Sequence, residues 1–374
     1  MFEYVIIIWS ILALEVYLQV ITHRTREHFQ WMITEKDEKP IFPREGFLKF
    51  MEHGYDHELG WCRKPGTSKQ ENGTSYHINR HGARHNPGHE KLKKVISTYG
   101  DSFVFCRQNN DNTTWQYYLS EDTRTNVLNF GVGNYGFDQA LLRLKREYDN
   151  YPTKTVIIGV VPSTIVRVMC MWKHWNEYGN VFGFKPRFEL NGEDLKYIPL
   201  NHDKEFMKKH DYFYKRKFRK EMIRIPYVYH FLKNARRNFK LVKLVKQNKR
   251  EEAMMVIQEI NLKLRKDLFW EKEPVCTLAF LISDFIIYAE EKGFKPVLLI
   301  IPQKDDVTTD HFYKDFLDVF KDKPITVVDM REHLEGKDLD ELYSDDNKYG
   351  GHPNPEGNKL IAKVLYNVLS EEKI

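Results

Sequence analysis

Five short apolar runs constrain this chain more than any other feature: Val95–Tyr99, Thr125–Phe130, Thr155–Val161, Pro296–Ile301 and Ile325–Asp329. Each is rich in β-branched residues and apolar at consecutive positions, which suits a strand covered on both faces. Helical patterns lie between and after them. Phe137–Tyr148 sets Leu141, Leu142 and Leu144 among Arg143, Lys145 and Arg146, and Val275–Lys292 is apolar with a polar end. Pro355–Leu369 aligns Leu360, Ile361, Val364, Leu365 and Val368 on one face. Strands alternating with helices in this way predict an α/β fold built on a doubly wound parallel sheet. For five such strands the order most often found is 2-1-3-4-5.

At 374 residues the chain is long enough to bury a full core, and its hydrophobic content of 41% is ordinary for a folded protein. A net charge of +5 is small against 58 basic and 53 acidic residues, so composition gives no wholesale nucleic-acid-binding character. Cys62, Cys106, Cys170 and Cys276 are far apart, without the paired spacing of a zinc site or a dense disulfide framework. No metal or cofactor is implied. His77, His81, His85 and His89 recur every fourth residue, but Gly82, Pro87 and Gly88 argue against a helix there, and solvation is the better reading. Asn72-Gly-Thr and Asn112-Thr-Thr match the glycosylation tripeptide, which is too common to carry weight.

Two segments stand apart from the strand–helix rhythm. Tyr4–Ile21 is almost continuously apolar, with eleven Ile, Leu and Val residues from Val5 on. At about −0.5 kcal/mol each they favour insertion into a bilayer by about 5 kcal/mol, against about 3 kcal/mol for the charge of Glu15. Residues 1–26 are therefore expected to be a single membrane anchor, with a buried core helix as the competing reading. Arg24 and Arg26 on the carboxyl side point to a cytoplasmic domain by the positive-inside rule. Residues 27–90 are expected to form an irregular lead-in of loops with room for short strands, and 91–374 the main domain, interrupted at about 190–265 by a basic helical insertion. From Lys204 to Arg250 that insertion carries seventeen Lys or Arg and three acids, interleaved with aromatics and broken by Pro226. It is either a solvated face or a surface for an anionic partner, lipid headgroups or an acidic polysaccharide, and no motif supports nucleic acid.

Chemistry concentrates at two places. Gly100-Asp101-Ser102 follows the first strand, where open α/β sheets hold ligands, and would present the Ser102 hydroxyl at the sheet's carboxyl edge. A serine is a useful nucleophile when a histidine takes its proton, a carboxylate orients that histidine, and donors await the oxyanion. Asp345-Asp346-Asn347-Lys348-Tyr349-Gly350-Gly351-His352 precedes the last helix, and a loop after the fifth strand would bring His352 to the same edge.

These blocks resemble those of the SGNH, or GDSL, hydrolase family over roughly residues 60–370, the basic insertion excepted. Gly100-Asp101-Ser102 looks like the nucleophile block, Asn129-Phe-Gly-Val-Gly-Asn-Tyr-Gly136 like the second, and His352-Pro-Asn-Pro-Glu-Gly-Asn358 like the last. The resemblance implies a flavodoxin-like sheet, Ser102 as nucleophile, His352 as general base and acid, and backbone N–H groups of Ser102 and of Gly133 or Asn134 as oxyanion donors. The chain departs from the family pattern twice. The third block lacks its asparagine, since Gly159 is followed by Val-Val-Pro-Ser163-Thr164; one lost donor typically costs about 3–4 kcal/mol of transition-state stabilisation, unless Ser163 or Thr164 substitutes. The aspartate expected three residues before the histidine is Tyr349, so Asp346 or Asp345 must reach further or Ser102 and His352 work as a dyad. The resemblance implies a serine esterase acting on O-acyl, often O-acetyl, esters of carbohydrate in the cell envelope. A polysaccharide O-acetyltransferase using the same residues, and a degenerate glycan- or membrane-binding relative, are the alternatives.

Overall fold

The computed structural model describes residues 2–28, 32–38, 44–71, 73–173, 183–192, 194–214, 216, 219–344 and 351–371. The helices that position the site and the apolar segment are α1 (Phe2–His28), α2 (Ser102–Phe105), α3 (Tyr227–Leu232), α4 (Ala235–Lys246) and α5 (Pro355–Glu371). Two compact units divide the chain.

The larger unit comprises Lys49–Met169, Lys185–Leu200 and Leu262–Ile374. Its sheet contains β1 (Lys94–Gly100), β2 (Asn126–Asn129), β3 (Thr155–Val160), β4 (Lys295–Ile300) and β5 (Thr326–Asp329), in the order β5-β4-β3-β1-β2. Every pairing is parallel. This is the expected doubly wound, flavodoxin-like order, with all five apolar runs as strands. Side chains alternate faces along each strand. Ile96, Val127, Ile157, Leu299 and Val328 join Trp115, Leu119, Ile361 and Leu365 in one core cluster. Val160, Leu298 and Ile300 instead meet Phe137, Leu278 and Ile282. Both faces are thus covered, which is why the runs are apolar without alternation. The chain reverses direction of travel between β1 and β3, and the crevice beside their carboxyl ends is where such sheets hold ligands.

Two glycines let α2 settle onto this edge. A Cβ on Gly100, where φ is +150°, would lie 1.9 Å from the Gly159 carbonyl oxygen, its partner in register on β3. A Cβ on Gly131 would lie 2.4 Å from the Phe105 nitrogen. Gly131→Ala must therefore push α2 off the loop after β2, and is expected to lower both the urea midpoint and any reactivity of Ser102.

The lead-in holds short strands, and a helix that the sequence did not suggest. Arg44–His53 is helical, and hairpins pair Tyr55–Asp56 with Gly60–Trp61 and Ser68–Glu71 with Thr74–His77. A third hairpin, Arg187–Asn191 with Asp194–Ile198, occupies the start of the segment expected to be helical and basic.

The smaller unit comprises Met1–Leu48, Cys170–Phe184 and Asn201–Asn261. It brings α1 together with the insertion. Leu18 and Ile21 of α1 pack with Ile223, Tyr227 and Phe231 and with Leu241, Val242 and Leu244 of α4. Glu15, read from sequence as a charge opposing insertion, accepts the backbone N–H groups of Tyr227 and Val228, at 2.8 Å for Val228. These are first-turn donors of α3 with no partner inside the helix, so the carboxylate caps it. The rest of α1 is bare: Phe2 to Leu14 are exposed on every side.

Beyond β4 the larger unit holds a buried ionic cluster. Arg265 pairs with Asp305 and lies 3.2 Å from Asp306, whose other carboxylate oxygen accepts the Gln303 N–H at 3.0 Å. Burial pushes the Asp306 carboxyl up to about 6 from its usual 3.8, against the pull of Arg265 and with the push of Asp305. Between those values the folded chain binds more protons than the unfolded one, so this group makes stability fall as pH rises from about 4 to about 6. Replacing Asp306 by Asn is expected to flatten that part of the pH profile of urea unfolding.

Candidate active site

Ser102 is the first residue of α2, and Asp101 is its N-cap. Asp101 is completely buried. One carboxylate oxygen accepts the Phe103 N–H at 2.8 Å; the other accepts the Val161 N–H at 3.1 Å and an Arg167 guanidinium N–H at 2.8 Å. The same guanidinium nitrogen donates to the Tyr135 carbonyl at 3.0 Å. Asp101 therefore ties the Gly-Asp-Ser turn to the end of β3, and Arg167 ties both to the loop after β2. As the first residue of a helix, Ser102 has a backbone N–H without an intrahelical acceptor, and no other described group accepts it.

His352 brings its Nε2 to 3.0 Å from Ser102 Oγ, across 250 residues of sequence. Its ring packs against Phe103, centroids 4.6 Å apart. The surrounding block is a helix start. Asn354 accepts the N–H groups of Glu356 and Gly357 at 2.9 and 3.0 Å, and Pro355 takes the first helical position, where its missing N–H costs nothing. The histidine backbone is fixed from two sides. Ser344 N–H donates to the His352 carbonyl at 2.8 Å, and the buried Asn109 donates from Nδ2 to the Pro353 carbonyl at 2.9 Å. Asn358 adds a bond from Nδ2 to the Thr113 carbonyl, also at 2.9 Å. Asn109 and Asn358 thus lock the segment carrying Ser102 to the segment carrying His352. Asn109→Ala is expected to lower kcat by roughly ten- to a hundredfold at nearly constant KM, because it loosens the reacting pair without touching a substrate subsite.

With Nε2 facing the serine, Nδ1 is the position at which a carboxylate would hold the ring. Asp345 and Asp346, the residues expected there, lie outside the described residues. Gly133 and Asn134 are half-buried in the loop tied down by Arg167; the Gly133 carbonyl accepts the Trp61 indole N–H at 3.0 Å, and Asn134 is left-handed with φ of 65°. Neither backbone N–H donates to another described group. Of the two proposed substitutes for the missing asparagine, Thr164 is buried and its hydroxyl accepts the Phe137 N–H at 2.9 Å. Ser163 is half-buried beyond β3, and its hydroxyl makes no hydrogen bond with a described residue.

Asp101, Arg167 and Asn109 did not stand out in the sequence as site residues. Asp101 stands inside the Gly-Asp-Ser motif; nothing local marks the other two. Of the four periodic histidines, read as solvated, His77 is exposed, His81 and His85 are half-buried and His89 is buried; each also has a polar partner, His77 with Asp111 at 2.7 Å, His81 with the Tyr151 hydroxyl at 3.0 Å, His85 with Glu90 at 3.3 Å and His89 with Glu121 at 2.6 Å.

No family model matches the chain, and no curated protein matches it in sequence. Among solved structures it is similar to a psychrotrophic esterase from Pseudoalteromonas sp., with 12% identity and a TM-score of 0.36 over 74% of this chain and 97% of that one. It is also similar to a member of the G-D-S-L lipolytic protein family from Veillonella parvula, with 9% identity and a TM-score of 0.35 over 74% and 98%. A third is a catalytic variant of an acetylxylan esterase from Geobacillus stearothermophilus, with 11% identity and a TM-score of 0.35 over 76% and 95%.

Proposed function

We propose that this chain is a serine esterase of the SGNH type, which removes O-acyl groups through an acyl-enzyme on Ser102. The observation that supports it most is the 3.0 Å approach of His352 Nε2 to Ser102 Oγ at the carboxyl edge of the sheet. In this reading Ser102 Oγ attacks the acyl carbonyl as His352 takes its proton. The oxyanion is met by the N–H of Ser102 and that of Gly133 or Asn134, with the Ser163 hydroxyl as a third donor. His352 then protonates the departing alcohol. Water, deprotonated by the same imidazole, cleaves the ester and releases the acid. Asp346 or Asp345 orients the imidazole. The substrate is an O-acetylated carbohydrate or related ester, a choice that rests on the resemblance of the three sequence blocks.

The bare apolar length of α1 supports a second element of the reading, a membrane anchor over residues 4–21. The test of the chemistry is acetate release from an acetylated glycan and from a simple aryl acetate. The wild type is expected to release acetate, and Ser102→Ala to do so more slowly by roughly three or more powers of ten. Acetyl appearing on an added glycan instead of in water would reassign the same residues to an O-acetyltransferase. No Ser102-dependent release or transfer from any ester would leave only a binding role.

A further inference from the structure

We propose that α1 does not enter the bilayer alone: the start of α3 sits in the headgroup layer beside it, with the basic cleft at the start of α4 holding anionic lipid. The inference rests on the membrane-anchor reading and adds a second contact to it. Length is the first argument. Phe2–Leu14, the stretch exposed on every side, rises only about 20 Å. A bilayer core needs about 30 Å, so a span must also use residues 15–21. Those are the residues at which α1 meets the insertion: Glu15 caps α3, and Leu18 and Ile21 are buried against it and α4. The start of α3 cannot then stand clear of the membrane surface.

Its side chains suit that depth. Ile225, two residues before the Glu15-bound Tyr227, is 68% exposed, and Tyr229 is 64% exposed. Leu232, three residues after Tyr229 and on the same helical face, is also exposed. An exposed aliphatic and aromatic edge of this kind fits the boundary between acyl chains and headgroups. Directly after it, Lys233, Arg236, Arg237 and Lys240 line an open cleft of about 580 Å³. Arg236 and Lys240 make no ion pair with a described residue, while Arg237 has a distant one with Glu221 at 3.7 Å. A cleft so charged, adjoining an apolar edge, is complementary to phosphate-bearing lipid and not to a neutral surface.

The experiment uses the full chain reconstituted into phosphatidylcholine vesicles with or without phosphatidylglycerol, with Cys62 and Cys276 replaced by Ser. A bimane probe is placed at Trp9→Cys or at Tyr229→Cys. The expected result is quenching at position 9 by lipid spin-labelled deep in the acyl chain and at position 229 by lipid labelled near the headgroup. Phosphatidylglycerol should strengthen the second, and the combined change Lys233→Glu, Arg236→Glu and Lys240→Glu should remove that gain without altering position 9. Quenching at 9 with position 229 open to aqueous iodide overturns the inference and leaves the anchor standing. Position 229 shielded only at high protein-to-lipid ratio also overturns it, in favour of a second copy of the chain. No lipid quenching at either position overturns the anchor reading itself.

Discussion

Replacing His352 by Ala is expected to lower kcat by roughly three to six powers of ten while KM changes little. The imidazole touches the nucleophile, not the distal parts of a substrate, so what it contributes appears in the transition state. Ser102→Ala should cost as much, and the double variant no more than either alone, because a nucleophile without its base and a base without its nucleophile fail at the same step. A double variant slower than both singles would mean that the two residues act separately. The residual rate would report what the backbone donors of Ser102 and of Gly133 or Asn134 provide without the pair.

Asp101→Ala is expected to lower stability by about 3–5 kcal/mol, read as a shift in the urea midpoint. The variant leaves the Arg167 guanidinium, which is mostly buried, without its carboxylate, and strands the N–H groups of Phe103 and Val161. Asn is a poor substitute. Phe103 and Val161 donate to different oxygens of Asp101, so an amide would satisfy one donor and present N–H to the other. If Asp101→Asn matched the wild type in stability, the buried ion pair with Arg167 would carry no weight. Because Asp101 precedes the nucleophile, both variants should also slow acylation of Ser102.

The sheet was legible because it depends on local pattern: five β-branched runs, each buried on both faces, need no distant partner to announce themselves. Ser102 and His352 were legible because each sits at a punctuated boundary, a Gly turn after a strand and a Pro-Asn-Pro helix start. What escaped was whatever depends on distance. Arg167 meets Asp101 across 66 residues, Asn109 meets Pro353 across 244, and Glu15 meets Tyr227 across 212. A carboxylate inside an apolar run looks like a penalty until the helix it caps is in place. The lead-in allowed short strands but hid which of them pair, because they are only two to four residues long, too short for a period to show.

The most direct measurement is labelling of the full chain with a fluorophosphonate, followed by mass spectrometry of the modified peptide. A single phosphonyl group on Ser102, absent in Ser102→Ala and strongly slowed in His352→Ala, is the result this account predicts. Labelling indistinguishable between wild type and Ser102→Ala, or a modified peptide that does not contain Ser102, would contradict it.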